Sequence, residues 1–178
     1  MVIFAKLNQF SQTRTSWVLL LLSILFFEMC ALFFQHILML APCVMCIYER
    51  VAMLGIGGSA ILGLIAPRLA IFRWLGLLSW GYTSYSGLLL AHQHVEYQFH
   101  PSPFATCDAF VQFPQWAPLN QWMPWMFEAY GDCSKIVWQF LTLSMPQWLE
   151  IIFAINLFVA FIFLIAQFFK PKRRGLFE

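Results

Sequence analysis

Charge is scarce in this chain. Of its 178 residues only 10 are Lys or Arg and 8 are Asp or Glu, about 10% in all, where an ordinary soluble domain carries roughly 25%. That scarcity excludes a disordered, self-repelling chain. A net charge of +2 excludes the concentrated basic face that nucleic acid requires. Internal repeats and low-complexity tracts are missing too. Hydrophobic residues supply 61% of the chain and aromatics 19%, with 20 Phe and 8 Trp. A water-soluble globule of this size cannot hide so much apolar surface. The excess faces lipid, and the class is a small polytopic membrane protein.

A helix needs about 20 mostly apolar residues to cross the hydrocarbon core. Four segments meet that need, at about 17–34, 46–66, 71–91 and 146–169. Pro67-Arg68 separates the second from the third by a short turn, and short antiparallel connections favour a bundle. The expected architecture is an all-α membrane protein, a four-transmembrane-helix bundle forming a single membrane domain over 1–178. No small-x-small cleavage site follows the first apolar run, so it reads as a retained span and not a signal peptide. Lys6, Arg14, Arg68, Arg73, Lys170, Lys172, Arg173 and Arg174 fall on one side, eight of the ten basic residues. The positive-inside rule makes that side cytoplasmic, with both termini inside and the loops 35–45 and 92–145 outside.

The outer segment 92–145 carries Pro101, Pro103, Pro114, Pro118 and Pro124, which excludes one continuous helix. Trp116, Trp122, Trp125 and Trp138 place it along the outer headgroup zone. Within it, 135–143 is expected to form a short interfacial helix with Ile136, Val137, Phe140 and Leu141 toward lipid.

Four of the five cysteines, Cys43, Cys46, Cys107 and Cys133, fall on the outer side, where an oxidising compartment lets disulfides persist. Cys43-Val44-Met45-Cys46 is a C-x-x-C pair at the mouth of the second span, after Pro42. A helix start stabilises a thiolate through its dipole and free N–H groups, and a thiolate is the species that exchanges. A bond between Cys107 and Cys133 would close a loop worth about 3–4 kcal/mol by chain entropy. Two structural staples, or zinc held by all four thiolates, are the alternatives, although a second C-x-x-C is lacking. Ile47 stands where a haem attachment motif needs His. Cys30, inside the first span, reads as a small apolar residue.

Arg50 follows Cys46 by four residues and shares its helix face. Its guanidinium suits both a nearby thiolate and the oxygen of a polar ligand. Glu49 would oppose that effect if it faced the thiol. Glu28 is an intramembrane carboxylate, a costly placement that marks it as a proton carrier, a partner for Arg50 or a buried helix tie. Gln35 lies seven residues on, along a similar face. His36, His92 and His94 lie near the same membrane surface, each within reach of a ligand.

Phe34-Gln35-His36 followed by Pro42-Cys43-Val44-Met45-Cys46-Ile47-Tyr48-Glu49-Arg50 resembles the first outer loop of the bacterial DsbB family. Pro101-Ser102-Pro103-Phe104-Ala105-Thr106-Cys107-Asp108 and Gly131-Asp132-Cys133 resemble its second. The likeness extends over essentially the whole chain, and strings this long in this order are highly specific. It implies a quinone-dependent thiol–disulfide oxidoreductase of the bacterial inner membrane, its active cysteines periplasmic. Such a protein reoxidises the thioredoxin-fold dithiol oxidase DsbA and passes two electrons to membrane quinone, which keeps the periplasm oxidising. Ubiquinone is the implied cofactor, with menaquinone the alternative.

By the same resemblance Cys107 matches the cysteine that forms the mixed disulfide with DsbA, and Cys133 its loop partner. Cys43 and Cys46 match the pair that receives the electrons, with Cys46 facing the quinone. Arg50 and His94 match quinone-site positions, and Gln35 and Glu28 join them as candidate cofactor-binding residues. Cys30 takes no role. The rival readings are a non-catalytic metal- or haem-binding membrane protein using the outer Cys and His residues, and a scaffold with ordinary disulfides. An enzyme running electrons outward would need a cytoplasm-facing thiol, and the sequence places none there.

Overall fold

A computed structural model describes residues 2–100, 107, 108 and 110–169. The basic tail residues Lys170, Lys172, Arg173 and Arg174, and the motif residues 101–106, lie outside the described residues. The elements in chain order are α1 (Val2–Ser11), α2 (Arg14–His36), α3 (Val44–Ile65), α4 (Ala70–Phe99), α5 (Leu119–Trp122), α6 (Pro124–Phe127), β1 (Gln139–Phe140), β2 (Leu143–Ser144) and α7 (Met145–Ala166). The chain is an all-α membrane protein apart from one small hairpin. Three helices, α2, α3 and α7, are long and apolar enough to cross a membrane. The longest, α4 at 30 residues, falls short because Ser, Thr, Tyr and His residues dilute its apolar run.

Local chemistry sets the helix ends. Cys43, extended at φ −86° and ψ 170°, caps α3, its sulfur accepting from the Cys46 N–H at 3.2 Å. Ala66 leaves the helical region ahead of Pro67, as a residue before proline tends to do. At the start of α7 the Ser144 N–H donates to Gln147 Oε1 at 2.9 Å, satisfying one of the donors a helix start leaves free.

The core lies where α3 packs against α4 and α2, and α4 against α7. Trp17, Ile24, Ile56, Leu77, Trp80 and Phe153 fill it. Gly63 permits the closest approach: a Cβ there would run into the Trp17 ring. At the end away from the cysteines, Trp17 Nε1 donates to Ser11 O at 2.9 Å, and Asn8 Nδ2 donates to Phe169 O at 2.8 Å. These bonds seat α1 against α2 and the end of α7.

Several expectations need correcting. The helix containing the span 71–91 continues to Phe99, so His92 and His94 sit on α4 and not in a loop. No breaker intervenes before Pro101, which ends the run. The segment 135–143 is not an interfacial helix. Its second half is the β1–β2 hairpin, pairing Gln139 with Ser144 and Phe140 with Leu143. The turn residues Leu141 and Thr142 take φ of 50° and 69°, a left-handed pair that a helix cannot contain but a tight hairpin turn requires. Phe140 lies between Trp138 and Trp148, and its carbonyl accepts from Trp148 Nε1 at 3.1 Å. These aromatic contacts belong to the hairpin geometry.

Candidate functional site

The cysteine-bearing ends of α2, α3 and α4 meet under the outer segment. That segment is fastened to the first turns of α3. Phe127 and Met126 pack on Ile47, and Tyr48 Oη accepts from the Gln112 N–H at 2.8 Å. The N–H groups of Tyr130 and Gly131 both donate to Pro42 O at 2.9 Å, one residue before the C-x-x-C pair. Gly131 is required there, because a Cβ would strike the Ala41 carbonyl.

Cys107 and Cys133 are joined in a disulfide with Cα atoms 6.2 Å apart. Cys133 is buried and Cys107 half-buried, so Cys107 is the less sheltered half of the loop bond. Asp132 accepts from the Ser134 N–H at 3.0 Å and the Ser134 hydroxyl at 2.8 Å. Those bonds hold its carboxyl below the usual aspartate range. The disulfide packs into one apolar cluster with Cys43, Cys46, Met45 and Tyr97. Both cysteine pairs therefore share a single neighbourhood.

Cys43 and Cys46 are unbonded with their sulfurs 2.6 Å apart. Cys43 is buried and Cys46 half-buried. The sulfurs and one His94 ring nitrogen all lie within 4.8 Å of one another, close enough to raise the question of a metal. Three ligands from two helices leave that cluster one short of a tetrahedral zinc site, and the same proximity lets the two C-x-x-C sulfurs bond to each other.

His94 Nε2 lies 3.5 Å from Cys43 Sγ, while Nδ1 lies 2.9 Å from Glu49 Oε1. Both His94 and Glu49 are almost fully enclosed. A carboxylate accepts, so Nδ1 is the donor to Glu49 and Nε2 is the ring nitrogen that faces the Cys43 sulfur. Glu49 thus faces His94, a pairing that 45 residues of separation hid from the sequence.

Arg50 occupies the other side of the pair. Its Nη1 donates to Gln35 Oε1 at 2.8 Å and to Met126 O, and its Nε lies 3.7 Å from Glu28 Oε2. Gln35 Nε2 in turn donates to Trp125 O at 3.0 Å. Neither Arg50 Nε nor Glu28 Oε2 has a hydrogen-bond partner among the described residues. Both residues line a pocket whose other walls include Phe27, Phe34, Leu40, Met53 and Leu149. Cys46 lies on this pocket, Glu49 borders it, and Gln35 completes the polar end.

Of the residues singled out in the sequence, Glu28, Gln35, Cys46 and Arg50 share that pocket. His94 does not: it lines a narrower cavity with Cys43 and Gln98, and Cys46 is common to both cavities. His36 and His92 are exposed and stay outside the cluster. His36 lies against Trp125, and His92 Nδ1 pairs with Glu150 Oε1 at 2.9 Å. Cys30 lines neither cavity.

An accessible disulfide packed onto a helix-end dithiol, in a helical membrane protein, defines a membrane thiol–disulfide exchange protein. The chain belongs to the DsbB family: the family model described as Disulfide bond formation protein DsbB matches residues 13–163. Similar relatives carry the name Disulfide bond formation protein B. The one from Vibrio parahaemolyticus is 72% identical over 175 residues, covering 98% of each chain. The one from Vibrio cholerae is 64% identical, covering 97% of this chain and all of the relative. The one from Photorhabdus laumondii is 57% identical, covering 93% and 98%.

Proposed function

We propose that the protein reoxidises a DsbA-like periplasmic thioredoxin-fold oxidase and passes the two electrons to ubiquinone, with menaquinone the alternative acceptor. The observation that carries this reading is the placement of Cys46. It lies on the apolar pocket that ends on Arg50, Gln35 and Glu28, and it belongs to the cluster that holds the Cys107–Cys133 bond. The setting is the bacterial inner membrane, with both termini cytoplasmic and the cysteine end periplasmic. All four long helices cross the bilayer, α4 among them. Its Ser79 and Thr83 hydroxyls donate to the Leu75 and Ser79 carbonyls at 2.7 and 2.9 Å, which removes the cost of carrying them into lipid.

A thiolate of the partner attacks the accessible Cys107 sulfur, opening its bond and releasing Cys133 as a thiol. The partner's second thiol displaces Cys107, so the partner leaves oxidised and the loop pair holds two electrons and two protons. Exchange with an oxidised Cys43–Cys46 pair moves both to the helix end and restores the Cys107–Cys133 bond. His94, steadied by Glu49, receives the Cys43 proton, and Arg50 offers positive charge beside the Cys46 sulfur. The pocket suits a quinone in its chemistry: its walls are apolar, and Arg50 Nε, without a hydrogen-bond partner among the described residues, offers a buried donor. A bound quinone supplies the two-electron sink.

Cys107→Ala tests the entry point. The variant is expected to lose capture of reduced DsbA, and an undiminished oxidation rate would remove the loop pair from the pathway. Metal analysis and a visible spectrum of the purified chain test the metal and haem alternative, which predicts stoichiometric metal and no quinone-dependent thiol oxidation.

A further inference from the structure

The end of the bundle opposite the cysteines takes no part in thiol exchange, yet it holds a preformed basic cleft. Its two walls are the α1–α2 elbow, with Gln9, Gln12, Thr13 and Arg14, and the α3–α4 turn, with Pro67 and Arg68. The space between them is about 1420 Å³ including its open mouth. Arg14 and Arg68 are exposed, and neither forms an ion pair among the described residues. Lys6, Arg14, Arg68 and Arg73 cluster at this end, where the described segments carry no Asp or Glu.

Both walls are fixed before any ligand arrives. The elbow is tied by Trp17 Nε1 to Ser11 O, and the Gln12 amide is spent on Asn8 Oδ1 at 2.9 Å. The turn is clamped by Arg73, whose Nη1 donates to Pro67 O at 3.0 Å and whose Nε donates to Gln167 Oε1 at 2.7 Å. Arg73 is thereby consumed in holding the turn that presents Arg68, which leaves Arg14 and Arg68 as the guanidinium groups here without a side-chain partner among the described residues. Beside the cleft, Ile65, Leu69 and Ile71 are 54%, 56% and 65% exposed, an apolar flank at the same level as the two cations.

We propose that this cleft binds the phosphate of an anionic phospholipid, with Arg14 and Arg68 on the headgroup and the apolar flank along the acyl chains. Guanidinium forks match phosphate oxygens, and basic pockets between membrane helices hold lipid headgroups. The apolar flank favours a lipid over free phosphate, which has nothing to lay against Ile65 or Leu69. Pinned walls reduce the ordering cost of binding. The site depends on the membrane setting and not on the redox reading, so either can fail without the other.

The test is native mass spectrometry of the purified full chain in detergent, titrated separately with phosphatidylglycerol, phosphatidylcholine and inorganic phosphate. Wild type is expected to retain phosphatidylglycerol selectively, and inorganic phosphate is expected not to displace it. The double variant Arg14→Gln/Arg68→Gln should bind phosphatidylglycerol roughly thirtyfold more weakly, with its thiol oxidation unchanged. Lys6→Gln should bind as wild type does. Equal retention of the two lipids would overturn the proposal, as would displacement by phosphate or full binding by the double variant. A loss in Lys6→Gln as large as in the double variant would overturn it too, by showing diffuse charge.

Discussion

Glu49 and His94 form a buried pair, Oε1 to Nδ1 at 2.9 Å, and the far ring nitrogen of His94 stands 3.5 Å from Cys43 Sγ. In the proposed exchange the carboxylate holds the ring in place, the imidazole takes the Cys43 proton, and Glu49 acts as a positioning residue. His94→Ala should slow exchange at the C-x-x-C pair by about 10²-fold, at the lower end of general-base contributions. Glu49→Gln should slow it about tenfold, the scale of an orienting partner. Stopped-flow rates across a pH series check both. Only the His94 variant is expected to lose the pH dependence, and equal profiles in all three proteins would contradict the assignment.

Arg50 gathers Glu28 from α2, Gln35 from the end of α2 and the Met126 carbonyl from α6. Removing one partner of a buried ion pair costs about 3–5 kcal/mol because the other charge is left unpaired. Arg50→Met should therefore lower the melting temperature and raise the apparent quinone KM. Glu28→Gln combined with Arg50→Met should regain part of the stability but none of the KM. A double variant less stable than the single would contradict the pairing.

The outer segment is pinned to the C-x-x-C entry by Gly131, whose N–H reaches Pro42 O and whose missing side chain leaves room for Ala41. Gly131→Val must push the two loops apart, at a cost of about 1–3 kcal/mol as for other overpacked sites. The expected phenotype is slow exchange between the two cysteine pairs with normal attack by the partner on Cys107. Rapid acid trapping of each disulfide separates the two steps, and equal slowing of both would show a general loss of fold.

Asp132 sits beside Cys133 and is held ionised by Ser134. Its folded pKa is depressed, so its contribution is fully present above the ordinary aspartate value of about 3.9 and is lost as pH falls through the lower folded value. Above that window Asp132→Asn should loosen the 132–134 turn. Below the folded pKa, wild type and variant should behave alike. Hydrogen exchange of the Ser134 amide at neutral and acid pH reads the difference.

The apolar excess and the spacing of basic residues made the helical membrane architecture legible, because lipid imposes one period and one length on every span. Cys46 and Arg50 share a face four residues apart, so their proximity was legible too. Glu49 and His94 were not. They come from different helices, and nothing local records which residue of α3 the extended α4 lays His94 against. The hairpin at 139–144 was hidden for another reason. Leu141 and Thr142 adopt left-handed backbone without the Gly or Asn that announces such a turn, so the apolar residues there look helical by period. The resemblance groups His94 with Arg50 as quinone-site positions, and in the fold the two line adjacent cavities with Cys46 common to both.

On the proposed route, electrons entering at the Cys107–Cys133 bond leave through Cys46 into the pocket of Arg50. It is tested most directly by mixing the purified chain in lipid nanodiscs with reduced DsbA and following ubiquinone absorbance in the stopped flow. Wild type should consume one quinone per DsbA oxidised, and Cys46→Ala and Cys107→Ala should each abolish that loss. Oxidation of DsbA with no quinone consumed, or quinone consumption that survives Cys46→Ala, would rule that route out.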